Sequence, residues 1–181
     1  MSLVTVSLGS NIDPVRHIRL CLDALFDTFG PLNVSRVFES EPVGFSDTRN
    51  FYNLVVAFES NWSPGELQAW AKALEILHGR KQGLAKYSPK ALDIDLLTVG
   101  SLRGVVEGVA LPRAEITESA FVLQPLAELL PNERHPACNT PYAALWNNFS
   151  LGNQRLWAVD FTWGSAWISH AESAPCKSQA R

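Results

Sequence analysis

Cysteine is scarce in this chain. Three occur in 181 residues, Cys21, Cys138 and Cys176, far apart. No two have the short spacing of a zinc ligand set, and the scattered count does not build a disulfide framework. Reduced thiols and a cytoplasmic location are the expectation. Long apolar runs are missing too. No stretch approaches the roughly 18 residues that span a membrane, and Met1 to Val6 runs straight into a strand without a secretory signal. Nor is charge of one sign in excess. Lys and Arg number 15 against 18 Asp and Glu, a net charge of −3 without a run of like charges. That balance argues against nucleic acid as a main ligand and leaves room for a local anion site. Repeats and low-complexity tracts are absent. What remains is 46% hydrophobic, too apolar for global disorder. The length suits one domain with a sizeable core. We expect that domain over residues 1–168, with a frayed tail over 169–181.

The strongest local pattern is Leu92-Asp93-Ile94-Asp95-Leu96-Leu97. On a strand, residues i and i+2 share a face, so Asp93 and Asp95 stand side by side. Leu92, Ile94 and Leu96 then face a core, and the aliphatic run reads as a central strand. Adjacent like charges are unfavourable unless a cation or shared proton compensates them. Hard oxygen ligands in this arrangement suit Mg²⁺, which takes one or two carboxylates and leaves other positions to phosphates and water. Arg80, Lys81, Lys86 and Lys90 make the preceding segment basic. Taken alone, the Asp-x-Asp spacing also fits a solvated edge with each Asp paired to a Lys.

Elsewhere the chain reads as alternating elements. Leu3 to Leu8 is a strand, and Asp13-Pro14 a helix start with a cap and Pro in the first turn. Val15, Ile18, Leu22, Leu25 and Phe29 repeat at helical spacing. Asn33 to Phe38 and Phe51 to Ser60 read as strands. Ser63-Pro64-Gly65-Glu66 is a capping-box signature, and its helix runs to Gly79. Leu92 to Val99 is a strand, Val105 to Leu111 a short hairpin. Thr117 reads as the cap of a last helix ending before Pro131, and Arg155 to Thr162 as a further strand. The order is βαββαβ, which predicts an α+β, ferredoxin-like sheet with helices on one face and extra C-terminal strand material. Glu39 to Asn50 and Gly79 to Ser88 are polar loops long enough to be functional.

Several segments together resemble the 6-hydroxymethyl-7,8-dihydropterin pyrophosphokinase family of folate biosynthesis. They are Ser7 to Asn11, Ser40 to Gly44, Phe51 to Val55, Glu75 to Arg80, Tyr87 to Leu97, Leu111 to Arg113 and Phe121 to Leu126. The resemblance implies transfer of pyrophosphate from ATP to the pterin hydroxymethyl group, releasing AMP. It assigns two Mg²⁺ ions to Asp93 and Asp95, with Arg80 and Lys90 flanking them at the reacting phosphates. It assigns Glu75, Arg80, Lys90 and Arg113 to the nucleotide, and Ser40, Pro42, Val43, Phe51, Asn53 and Phe121 to the pterin. Asn53 offers donor and acceptor to an amide-like ring edge, and Phe121 with Phe51 (or Tyr52) offers stacking faces. By sequence alone, Phe121 reads first as an ordinary core residue of the last helix, and Asn53 equally as a strand-edge or turn asparagine. The implied partners are small molecules, ATP and the dihydropterin, with no nucleic acid or membrane. A monomer is expected, and a dimer stays open. Loop 79–88 is expected to close over ATP and exclude water.

The phosphate side departs from the family pattern. Gln82, Gly108 and Ser119 stand where arginines are usual, Lys90 replaces an arginine and its bidentate fork, Arg113 replaces a His, and Tyr87 a Trp. These changes leave a divergent paralogue that binds a pterin without efficient transfer as the alternative. A kinase or nucleotidyl transferase for another hydroxymethyl heterocycle is a third reading, and a scaffold role the weakest.

Overall fold

The structure is a computed structural model and describes residues 1–42, 49–79 and 89–171. Strand β1 is Ser2–Ser10, burying Val4, Val6 and Leu8. Helix α1, Pro14–Phe29, starts with Pro at its first turn, as the sequence predicts. Asp13 does not cap it. That residue is left-handed, φ 41°, and its side chain makes no cap hydrogen bond. The inner face of α1 is Ile18, Cys21, Leu22 and Leu25, while Val15 is exposed.

The strand expected over 33–38 is two pieces, β2 (Asn33–Val34) and β3 (Phe38–Ser40). The break falls at Ser35. Its N–H donates to the Val55 carbonyl at 2.9 Å, and its hydroxyl accepts from the Val55 N–H at 2.9 Å. A side-chain oxygen thus replaces a backbone carbonyl in the ladder, a substitution that serine's short hydroxyl permits. Strand β4 is Phe51–Ser60, with the bounds the sequence predicts. Helix α2, Pro64–Leu77, carries the predicted capping box: Ser63 accepts from the Glu66 N–H and Glu66 from the Ser63 N–H.

Strand β5, Asp93–Val99, is followed by the hairpin of β6 (Gly104–Val106) and β7 (Val109–Leu111). Its two-residue turn needs positive φ at both positions, supplied by Glu107 (51°) and Gly108 (80°). The Glu107 carboxylate accepts from the Gly65 N–H at 2.7 Å and so supports the first turn of α2. The last predicted helix is broken. α3 is Glu115–Glu118 and α4 is Ala120–Leu129, with Ser119 extended between them. Thr117 lies inside α3 and is not a cap. Helix α5, Tyr142–Asn147, was not expected from the sequence. The strand expected over 155–162 is β8 (Leu156–Ala158) and β9 (Phe161–Trp163). Strand β10, Ala166–Ser169, pairs with β9. Order therefore continues past 168. Ser169 is buried and its hydroxyl donates to the Val37 carbonyl. Residues 172–181, where the frayed tail was expected, lie outside the described residues.

The main sheet runs β5-β1-β4-β3-β8, with β2 also on β4. Every pair in it is antiparallel. The fold is α+β and ferredoxin-like. Helices cover both faces rather than one. Val4, Val6, Leu54, Val56 and Ile94 pack with α1 and α2. Val55 and Leu97, on the opposite face, pack with α4 and α5. Alternation along β4 demands this, because Leu54 and Val56 on one face and Val55 and Ala57 on the other are all buried and apolar. Strand β5 is also an edge among the described residues, not a central strand. Among the described residues, no helix is long and apolar enough to cross a membrane.

A histidine pair joins the start of α1 to the end of α2. His17 Nδ1 and His78 Nδ1 lie 2.6 Å apart, so one ring donates and the other accepts. Burial first holds both imidazoles below their ordinary value of 6.5; at His17 Arg16 adds to it and Asp13 partly opposes, and at His78 His17 and then Arg16 add to it. A depressed histidine contributes stability that is complete above its unfolded value and lost as pH falls. Melting temperature should therefore fall more steeply from pH 7 to pH 5 in the wild type than in His78→Gln. Equal slopes would show that the pair contributes nothing.

Candidate active site

One end of the sheet opens into a cleft of about 510 Å³. Its floor is the end of β1, its walls the β3–β4 pair and the α3–α4 junction, and β5 runs along one side. A second cavity of about 460 Å³ lies by Thr5, Thr98 and Tyr142 and contains none of the residues the sequence singles out.

Asp93 and Asp95 project into the cleft from the same face of β5, with Ile94 and Leu96 buried behind them. Among the described residues no strand pairs with the outer edge of β5, whose backbone donors need other acceptors. Glu75 takes one of them: its Oε1 accepts from the Ile94 N–H at 2.8 Å. Glu75 is itself buried and does not line the cleft, so it supports the peptide between the two aspartates from below.

Among the described residues, two cations face the carboxylates. Lys90 Nζ lies 3.4 Å from Asp93 Oδ2, and Arg113 Nη2 lies 3.3 Å from Asp95 Oδ1. Arg113 Nε is also 3.0 Å from Glu115 Oε2, though without hydrogen-bond alignment. Lys90 is held by Asn11, which accepts from the Lys90 N–H at 2.7 Å and donates its own N–H to the Lys90 carbonyl. Burial, and then repulsion from Asp93, raises the Asp95 carboxyl from 3.8 to about 7, against the pull of Arg113 and Lys90. Among the described residues the cations do not fully compensate Asp95. Two same-face carboxylates, one of them raised, fit a hard divalent cation such as Mg²⁺, which commonly takes one or two carboxylates and leaves its other positions to phosphate and water. Among the described residues there is no group of three or more His, Cys, Asp or Glu ligands.

The opposite wall carries neutral groups around Asn53, with Glu41 beside them. Asn53 Nδ2 donates to Ser40 Oγ at 2.8 Å, fixing the amide so that its oxygen is on the other side. Both residues are buried. Phe51 and Phe121 are half-buried on separate walls, and Pro42 completes the rim. The cleft thus brings together Ser40, Pro42, Phe51, Asn53, Lys90, Asp93, Asp95, Arg113 and Phe121. Val43 and Arg80 lie outside the described residues, as does the loop expected to close over ATP. Sequence reasoning missed Glu115, Glu118 and Gln154, which also line the cleft. Glu115 and Glu118 lie just beyond Leu111–Arg113 without a motif of their own, and Gln154 has no local signal at all. At two positions where arginine is usual, Gly108 occupies the hairpin turn and Ser119 the α3–α4 break.

An antiparallel ferredoxin-like sheet with a carboxylate pair and a stacking pocket in one cleft has the layout of a small-molecule transferase. The sequence profile of 7,8-dihydro-6-hydroxymethylpterin-pyrophosphokinase matches residues 5–131. The 2-amino-4-hydroxy-6-hydroxymethyldihydropteridine pyrophosphokinase of Pseudomonas aeruginosa is 35% identical over 137 residues, 74% of this chain and 83% of that protein. The protein of the same name from Aquifex aeolicus is 30% identical over 142 residues, covering 78% and 88%. A Plasmodium falciparum HPPK-DHPS crystal structure with pteroate superposes with a TM-score of 0.64 at 13% identity, over 81% of this chain and 44% of that one. That last likeness concerns the fold. The chain belongs to the 6-hydroxymethyl-7,8-dihydropterin pyrophosphokinase family.

Proposed function

We propose that this protein transfers the pyrophosphoryl group of ATP to the hydroxymethyl group of 6-hydroxymethyl-7,8-dihydropterin, releasing AMP. The observation that carries the reading is the meeting, in one cleft, of Asp93 and Asp95 with the Asn53–Ser40 pair flanked by Phe51 and Phe121. The hydroxymethyl oxygen attacks the β-phosphorus, and the bond from that phosphorus to the α-bridging oxygen breaks. AMP leaves with that oxygen, and the hydroxyl loses its proton.

Asn53 presents its free oxygen to the donor edge of the ring, and Phe51 and Phe121 hold the ring's faces. Lys90 and Arg113 bring positive charge to the phosphates. With ATP bound, Arg113 would pass from Asp95 to a phosphate oxygen, which would leave Asp95 available to hold a metal ion. Asp93 and Asp95 would hold Mg²⁺, two ions by family resemblance, which supplies charge neutralisation and in-line geometry when bound. Glu75 keeps the two aspartates on a rigid strand. Arg80, from the family motif, is assigned to the same phosphates. A cytoplasmic monomer with a single domain is part of this reading.

The test is AMP formation from ATP, Mg²⁺ and the hydroxymethyl dihydropterin, with Asp95→Ala as the blank. Pterin-dependent AMP supports the reading. Pterin binding without AMP overturns it in favour of a binder that has lost transfer.

A further inference from the structure

The N-terminus of α4 is satisfied only in part by its own residues: the Ser119 carbonyl accepts from the Val122 N–H at 3.1 Å, which leaves the first N–H, that of Ala120. Ser119 has the extended backbone of an N-cap, φ −117° and ψ 118°, yet its side chain makes no cap hydrogen bond. A helix start with uncapped N–H groups frays. The missing acceptor comes from 34 residues away: Gln154 Oε1 accepts from the Ala120 N–H at 2.7 Å. The other end of the same carboxamide, Nε2, donates to the Glu118 carbonyl at 3.0 Å. One planar amide therefore satisfies the groups on both sides of Ser119. Phe121 is the next residue after the capped amide.

Gln154 is anchored on the opposite wall of the cleft. The segment that carries it continues into β8, which pairs Leu156 with Ser40 of β3. The Glu41 N–H donates to the Arg155 carbonyl at 3.3 Å, and Trp157 Nε1 donates to Glu39 Oε2 at 3.1 Å. A short strap thus runs from the Ser40–Asn53 wall to the Phe121 wall. It lies beyond the residues 5–131 that match the family profile.

We infer that Gln154 is a positioning residue for the heterocyclic substrate, because its side chain reaches from the segment paired with β3 to both sides of the α3–α4 junction and so sets where Phe121 stands. This rests on the reading of the cleft as a pterin site. Gln154 itself performs no chemistry. Losing it loosens one stacking wall, which weakens capture of the ring and leaves the phosphate side, built on β5 and Lys90, as it was.

The experiment compares full-length wild type, Gln154→Met and Gln154→Glu. Methionine keeps the length and removes both hydrogen bonds. Glutamate keeps the acceptor for the Ala120 N–H and loses the donor. Amide exchange over 119–124 is followed in the ligand-free proteins, and the dissociation constant for the hydroxymethyl dihydropterin is read by fluorescence. Gln154→Met should exchange faster there and bind the pterin about tenfold more weakly, a loss of one factor of ten in the equilibrium. KM for ATP and kcat at saturating pterin should stay within about twofold. Gln154→Glu should recover most of the affinity. Unchanged exchange in Gln154→Met overturns the inference, and so does a parallel loss in pterin affinity, KM for ATP and kcat, which marks general destabilisation. If the wild type binds no pterin, the functional reading fails and the positioning of pterin fails with it. If the wild type binds pterin and Gln154→Met binds equally well, only the inference fails.

Discussion

Asp95→Asn should lower pyrophosphoryl transfer by about a thousandfold or more, the scale at which removing an electrostatic clamp on a transferring phosphoryl group acts. The same change should stabilise the metal-free protein at pH 8. The sign follows from the carboxyl's rise from 3.8 to about 7. Between those values the folded state binds the proton and the unfolded chain does not, so stability falls as pH rises through this window. Above about pH 7 the ionised Asp95 carries its whole penalty, from burial first and Asp93 second. Asparagine removes that penalty. The Asp95 side chain keeps 30% of its surface in solvent, so the gain is discounted to the order of 1–2 kcal/mol, or a few degrees in melting temperature. The gap between variant and wild type should close towards pH 4. Adding Mg²⁺ with ATP should raise the melting temperature of the wild type far more than that of the variant. A variant that melts below wild type in metal-free buffer at pH 8 would show that the carboxylate pair is not an uncompensated charge.

The second large effect is expected from Asn53→Ala. Asn53 is buried, its amide nitrogen is engaged by Ser40, and its oxygen is the group left to address a ligand. A site built to hydrogen-bond one ring edge rejects that ring strongly once the partner group is gone. Pterin affinity should fall about a hundredfold, or about 2.7 kcal/mol. KM for ATP should remain within about twofold, because Lys90, Arg113 and the aspartates stand on other elements. Titrating each substrate against variant and wild type checks this. Equal losses for pterin and ATP would place Asn53 in the scaffold rather than in the pocket.

Much of the frame was legible because it is local. The capping box at Ser63 and Glu66 needs only residues three apart, and it appears in the structure as read. Strand β4 announces itself by ten residues of β-prone sequence between polar loops. The placement of Asp93 and Asp95 on one face follows from alternation alone, and the structure agrees. The misreadings share a cause. The strand at 33–38 breaks because the Ser35 hydroxyl meets Val55, and the last helix breaks because Gln154 caps Ala120. In both cases a distant partner takes up a backbone group that local propensity had assigned to a regular element. The central position expected of β5 failed for a related reason. Aliphatic composition reports burial, and among the described residues helix α2 and its Glu75 carboxylate, rather than a further strand, meet that edge.

The sequence by itself therefore determined the order of the elements, the ferredoxin-like frame, the carboxylate pair and, through several collinear motifs, the family. Those features are carried by periodicity and by side-chain chemistry within short windows. Tertiary structure decided which cation meets which carboxylate, where Glu75 acts, and that residues near 154 complete a cleft begun at residue 7. Contacts of that kind join elements far apart in the chain, and no local pattern of residues specifies them.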